Sequence, residues 1–210
     1  VILLGVGMTF LVCKLFSKTI LKGVPSSFTL ELPPYRRPQL GKVLVRSVFD
    51  RTLFVLGRAI TVAAPAGILL WVMANVGIQG QSLLAWASGF LDPLGRFMGL
   101  DGVILIAFIL GFPANEIVIP IIIMAYMANG SLIEMSSLSA MKDLFLAQGW
   151  TLTTAVCTLI FVLFHWPCST TCLTIYKETK SVQWTAAAIL IPTVCGVVCC
   201  SLAAFVLRMF

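Results

Sequence analysis

Apolar runs and short polar joints alternate along the chain. Val1 to Phe16 reads as the latter part of a spanning helix that Lys14 and Lys18 stop at a cytoplasmic face. Ser17 to Arg37 is polar, with turn signals at "GVPSS" and "ELPPYRRP", and Pro33 and Pro34 forbid a helix there. From Leu40 to Arg58, apolar residues recur at Leu40, Val43, Leu44, Val48 and Val55 with basic residues between them. That spacing predicts an amphipathic helix in the membrane interface. Ala59 to Val76 is long enough to span, with a kink expected at Pro65. Gln79 to Leu100 is semi-apolar and is expected to lie outside on the membrane, with Trp86 and Phe90 as interfacial anchors.

The second half breaks this rhythm twice. Asp101 opens "GVILIAFILGF", about two-thirds of the ~20 residues a span needs. "PAN" interrupts it, and "EIVIPIIIMAYMA" follows. Ser131 to Gln148 is a polar connection with a short helix expected at Ser137 to Leu146. Trp150 to Phe164 is a second short apolar run that stops at "HWPCSTTC". "LTIYKETK" comes next, and Gln183 to Phe210 is a last full span with a bend expected at Pro192. Each shortened run thus ends at an aromatic followed by a proline, Pro113 or Pro167. Paired interruptions of this kind point to a transporter's binding site. Proline frees backbone carbonyls, and hydrocarbon offers them no partner. Both breaks are therefore expected inside protein or beside water; the alternative is an ordinary packed kink. Two topologies remain open: Asp101 to Ala128 crosses fully, or it re-enters and leaves "KETK" inside.

Composition narrows the solvent. The 210 residues are 60% hydrophobic and 10% charged, against about 25% charged in soluble domains. Lipid must face much of this surface, so the expected fold is all-α: a polytopic transmembrane bundle with proline-broken helices and an amphipathic interfacial helix. Nine of the 14 Lys and Arg lie between Lys14 and Arg58, which marks that stretch as cytoplasmic. These basic residues flank spans without interleaved aromatics, so nucleic acid is not an expected partner. The chain starts at Val1 inside an apolar run, without a signal-peptide pattern, and reads as a piece of something longer. The expected organisation is a partial helix over 1–16, a basic segment over 17–58 and a gate-type module over 59–210, broken near 112–116 and 165–169.

Candidate chemistry clusters at the breaks. Glu116 is the one acid within the expected spans away from their ends, and a carboxylate there costs about 2.5 kcal/mol or more. If "NEIVIP" opens a half-helix, Asn115 and Glu116 lie in its first turn, where the dipole offsets part of that cost. The bland alternative is a cap or a buried pair. His165, Cys168 and Cys172 are spaced by three and four, which on a helix share a face. Imidazole and thiolate suit first-row transition metals, with a carboxylate as a harder ligand. Cys195, Cys199 and Cys200 read as packing, as do Met124 and Met127. Most of the seven cysteines sit in apolar runs, as free thiols rather than a disulfide framework.

Three stretches together, "FTLELPPYRRP", "GFPANEIVIPIIIMAYM" and "PCSTTCLTIYKETKS", resemble the FeoB family of bacterial ferrous-iron transporters. In that family a cytoplasmic GTP-binding domain precedes a membrane domain of two gate modules, and this chain is similar to the second. The resemblance implies an iron path and carries the gate cysteine onto Cys168 and the acidic residue of the PA-[KN]-E motif onto Glu116. His165 and Cys172 rest on spacing alone. No GxxxxGK[ST] occurs, so no nucleotide chemistry is expected in the chain, nor enzyme activity: HExxH is absent too. The expectation is part of an importer in the bacterial inner membrane, multi-pass, with Fe²⁺ as transported ion and no tightly bound cofactor. Expected partners are the ferrous ion, the lipid bilayer, a first gate module, a GTP-binding domain and further copies of the chain. Two rivals stand beside it: a gate-type transporter of another substrate such as a nucleoside, and a non-transporting membrane assembly subunit.

Overall fold

A computed structural model describes residues 2–19, 40–46, 49, 52–78, 80–127 and 137–209. Two compact units emerge, Val1–Leu56 and Gly57–Phe210. The first holds α1 (Ile2–Thr19) and α2 (Leu40–Arg46). Ile2, Leu3 and Phe10 on α1 are largely exposed, as suits a helix surrounded by lipid. Its hydroxyls turn back onto the helix: Thr9 donates to the Gly5 carbonyl at 2.8 Å and Ser17 to that of Cys13 at 2.9 Å. The helix runs three residues past the expected stop at Phe16, because positive charge near a helix C-terminus is favourable and Lys14 and Lys18 can snorkel. The turn signals over 20–39, with "FTLELPPYRRP", lie outside the described residues.

Only part of the amphipathic helix expected over 40–58 falls on described residues. It forms over Leu40–Arg46; residues 47, 48, 50 and 51 lie outside the described set, and Phe54 to Arg58 already belong to α3 (Phe54–Asn75). Nothing between Phe54 and Ala59 breaks a helix, so α3 starts five residues before the expected Ala59. Pro65 sits inside α3. A two-residue hairpin follows, β1 (Gly77–Ile78) against β2 (Gln81–Ser82), antiparallel. Gly80 turns it at φ +85, a conformation that favours glycine.

The second unit holds most of α3 and the hairpin, and continues with α4 (Leu83–Phe97), α5 (Gly102–Leu110), a 3₁₀ turn (Asn115–Ile117), α6 (Val118–Met127), α7 (Leu138–Ala147), α8 (Leu152–Phe164), α9 (Ser169–Thr179) and α10 (Val182–Met209). Among the described residues, Leu152–Thr179 and Val182–Met209 are long and apolar enough to cross a bilayer. The chain is an all-helical membrane protein. The two spans pack antiparallel. Cys157 donates to the Cys200 carbonyl at 3.7 Å and Cys200 to that of Cys157 at 3.3 Å, both side chains fully buried. Gly196 lets α10 close on α8, since a Cβ there would lie 3.1 Å from Phe164 Cβ. Leu190, Val194, Val198, Leu202 and Phe205 point the other way and are exposed.

The α5–α6 segment folds as a hairpin of two short halves. Each helix is too short to cross: nine residues of α5 rise about 13.5 Å, roughly half the ~30 Å hydrocarbon core. Their outer ends also meet, because the Tyr126 hydroxyl near the end of α6 donates to the Asp101 carboxylate at the start of α5. The chain therefore runs out along α5, turns at the first break and comes back along α6. Its core is tight: Ile104, Ala107, Ile121 and Ile122 are fully buried and Phe108 nearly so.

Helix α4 meets α5 at 110°, and glycines permit the crossing. A Cβ on Gly102 would lie 1.9 Å from the Ser88 carbonyl oxygen, and one on Gly95 would lie 2.7 Å from the Asp101 carbonyl carbon. Leu84 and Ser88 face α5's side of the module and are buried, whereas Trp86 and Phe90 are exposed. Gly89, in the same helix, has open space where a Cβ would go.

This contrast yields a paired test. Gly102→Ala must push two backbones apart and is expected to cost at least the ~1–3 kcal/mol of ordinary overpacking. Gly89→Ala should be neutral or stabilising by up to about 1 kcal/mol through helix propensity. Thermal unfolding of the detergent-solubilised chain reads both; equal midpoints for the two variants would contradict the close crossing.

Candidate functional site

The first break forms because α5 cannot continue past Gly111. Val118 folds back against that residue, 2.5 Å from where a Cβ would be, and Pro113 lacks the amide proton a further helical turn would use. Ala114 is extended, at φ −152 and ψ 117, and Asn115–Ile117 then forms a 3₁₀ turn that leads into α6. The Ala114 amide bonds the Gly111 carbonyl at 3.0 Å and the Ile117 amide that of Ala114 at 3.2 Å. Asn115 and Glu116 are in the first turn of the returning half, as expected, and both are exposed.

The second break is an extended step within a span. His165 caps α8 at φ −67 and ψ 168, and Cys168 precedes α9 at φ −62 and ψ 158. Pro167 restricts Trp166 before it to extended backbone. The Cys172 thiol covers one exposed acceptor, donating to the Pro167 carbonyl at 3.5 Å.

The two breaks touch. The Ser169 amide, at the start of α9, donates to the Phe112 carbonyl at 2.9 Å. One break's spare donor thus satisfies the other's spare acceptor. Side chains support the seam: the Phe108 ring meets Phe161 edge-on with centroids 4.9 Å apart and lies 5.2 Å from the His165 ring.

Around this junction the expected site residues separate. Cys168 is half-buried at the mouth of α9, its sulfur 3.1 Å from the hydroxyls of both Thr170 and Thr171. Cys172 is one turn deeper and buried. His165 is half-buried; its Nδ1 lies 2.8 Å from the Val162 carbonyl, and its Nε2 is buried without a partner. The shared helical face expected for His165, Cys168 and Cys172 does not exist as such, because His165 and Cys168 stand on extended backbone between two helices. The i, i+4 relation survives only for Cys168 and Cys172, joined by the Cys172 amide to the Cys168 carbonyl at 3.0 Å. Among the described residues no group of three or more His, Cys, Asp or Glu converges as a ready metal cluster. Cys200 and Met124 are buried as packing.

A polar network at the opposite end of the hairpin was not anticipated. Asp101 caps α5 by accepting from the Ile104 amide at 2.7 Å and also receives the Tyr126 hydroxyl. Trp150 Nε1 donates to that hydroxyl at 2.8 Å. Asp92 accepts from the Gly102 amide at 3.2 Å and pairs with Arg96 at 2.6 Å. A cavity of about 500 Å³ here is lined by Asp92, Arg96, Asp101, Trp150 and Arg208, and it includes no break residue. The signal available in the sequence was Asp101 directly before an apolar run, an N-cap pattern.

Comparison with known proteins gives two family matches: residues 1–50 with the ferrous iron transport protein B C terminus, and residues 56–182 with the gate family, described as nucleoside recognition. A Staphylococcus aureus (strain MSSA476) protein named Fe(2+) transporter FeoB is 31% identical over 201 residues, covering 91% of this chain and 28% of the relative. A protein of the same name from Leptospira interrogans is 28% identical over 207 residues, 87% and 29%. One from Synechocystis sp. is 31% identical over 170 residues, 80% and 26%. The chain spans less than a third of the length of these curated relatives. No solved structure matches significantly.

Exposure at the junction predicts an order of thiol reactivity. In the folded chain, Cys168 should be alkylated by N-ethylmaleimide well before Cys172, and Cys157 and Cys200 only on unfolding, read by mass spectrometry of timed digests. Faster labelling of Cys172 than of Cys168 would contradict this placement.

Proposed function

The chain belongs to the FeoB family, and from that premise we propose that it is one part of a bacterial inner-membrane importer of ferrous iron, the ion passing beside the two broken helices. The observation that carries this reading is the bond from the Ser169 amide to the Phe112 carbonyl. It ties the start of α9, next to Cys168, Thr170 and Thr171, to the loop that leads to Asn115 and Glu116, and so supports a shared site. Fe²⁺ sheds water in stages there against Cys168, Glu116 and Asn115, with Cys172 and His165 behind them. A thiolate gives softness that Mg²⁺ does not reward, a carboxylate gives charge, and hydroxyls replace lost water. Because the set is loose, the ion can also leave, as transport requires.

Glu116 on an exposed face also bears on partners. A carboxylate partway into a bilayer is costly against lipid, so this face suits cover by protein or water. A first gate module is the partner that fits the family, with a GTP-binding domain beyond it. Re-entry of α5–α6 adds no crossing between α3 and α8. Lys177 and Lys180, between α9 and α10, then lie on the cytoplasmic face, where positive charge is favoured.

A second reading keeps the module and changes the cargo, since the gate family is described by nucleoside recognition. Protection experiments separate the two. Fe²⁺ or Co²⁺ should slow alkylation of Cys168, and nucleosides should not. In the complete transporter, Cys168→Ser and Glu116→Gln should each lower ferrous-iron uptake about tenfold or more, the scale at which losing a ligand's support already acts. Nucleoside binding without any metal effect on Cys168, or unimpaired uptake in both variants, would overturn the iron path.

A further inference from the structure

Two buried polar atoms flank the second break and lack partners: His165 Nε2 and Ser169 Oγ. Ser169 is only 7% exposed. Burying an unpaired polar group costs about 1–3 kcal/mol, and such groups in folded proteins usually mark a water, an ion or a functional role. Here two occur within five residues, beside the helix N-terminus that already meets the first break.

Their chemistry is specific. A backbone carbonyl can only accept, so the Val162 oxygen at 2.8 Å from Nδ1 holds the ring proton there. In the neutral form of the ring, the free lone pair then lies at Nε2. A carbonyl-oriented imidazole of this kind is the usual form of a metal-ligating histidine. Ser169 adds a hydroxyl oxygen. Both residues abut the same stretch of the re-entrant hairpin, the His165 ring against Phe108 and the Ser169 amide on the Phe112 carbonyl. Those two hairpin residues are four apart, one helical turn. Phe108, Phe161 and Trp166 surround the imidazole, which makes a fully hydrated ion unwelcome.

We propose that His165 and Ser169 form a buried second station for a partly dehydrated divalent transition-metal ion, behind the Cys168–Glu116 mouth, and that this station discriminates against hard cations. The inference rests on the iron-path reading and deepens it. Imidazole suits first-row transition ions, whereas Mg²⁺ gives up water reluctantly and prefers oxygen. Two side-chain donors make a weak site, as a transit point needs. The Phe112 carbonyl stands beside the station and has a second lone pair to offer.

Co²⁺ binding to the full chain in lipid nanodiscs tests this, with visible absorption and X-ray absorption as readouts. The wild type should show nitrogen and sulfur ligation that excess Mg²⁺ does not displace. His165→Gln should weaken Co²⁺ binding about tenfold and remove the nitrogen signature while the sulfur band from Cys168 persists. Ser169→Ala, which removes one oxygen and keeps the fold, should give a smaller loss in the same direction. If His165→Gln and Ser169→Ala leave affinity and spectrum unchanged while Cys168→Ser abolishes the sulfur band, the buried station is wrong and the mouth stands. If Co²⁺ fails to bind the wild type, both fall.

Discussion

The bond from the Ser169 amide to the Phe112 carbonyl is the contact on which the module's centre depends. A chain that interrupts its helices inside hydrocarbon must supply partners for the backbone groups it frees. Either break alone would leave a donor or acceptor stranded. Placed against each other, the Ser169 amide and the Phe112 carbonyl satisfy one another. Pro113 and Pro167 create the need; the touching of the two breaks meets it.

Holding that contact takes precision from elsewhere. The hairpin tip can reach Ser169 only if α5 and α6 keep their register, and Asp101, Tyr126 and Trp150 pin their far ends together. Gly95 and Gly102 let α4 brace α5 at 110° with backbone almost on backbone. On the other side, Gly196 and the Cys157–Cys200 pair fix α10 against α8. The junction is thus rigid where it meets its own module. Toward the outside it shows Glu116 and Asn115, polar groups suited to another protein surface or to water.

The same geometry separates the cysteines by role. Cys157 and Cys200 are small apolar fillers whose thiols return hydrogen bonds across two helices. Cys172 donates to the carbonyl of Pro167 at the second break. Cys168 alone sits half-open with hydroxyls around its sulfur. Residue type was common to all four, and surroundings made the difference.

Much was written in the order of residues. Apolar run lengths dictated helices and lipid, because no water-soluble shape hides 60% hydrophobic residues in 210. The aromatic–proline stops located both breaks, since proline's missing amide acts locally wherever it stands. Ser137 and Asp101 marked helix starts, as capping side chains act on the very next turn. What depended on contacts between distant residues was hidden. Spacing put His165, Cys168 and Cys172 on one helical face, but Pro167 holds that backbone extended. Hydropathy could not tell crossing from re-entry for Asp101 to Ala128, because either path needs the same apolar residues. The meeting of Tyr126 with Asp101, 25 positions apart, brings the far ends of α5 and α6 together, and a long-range hydrogen bond leaves no trace in local pattern.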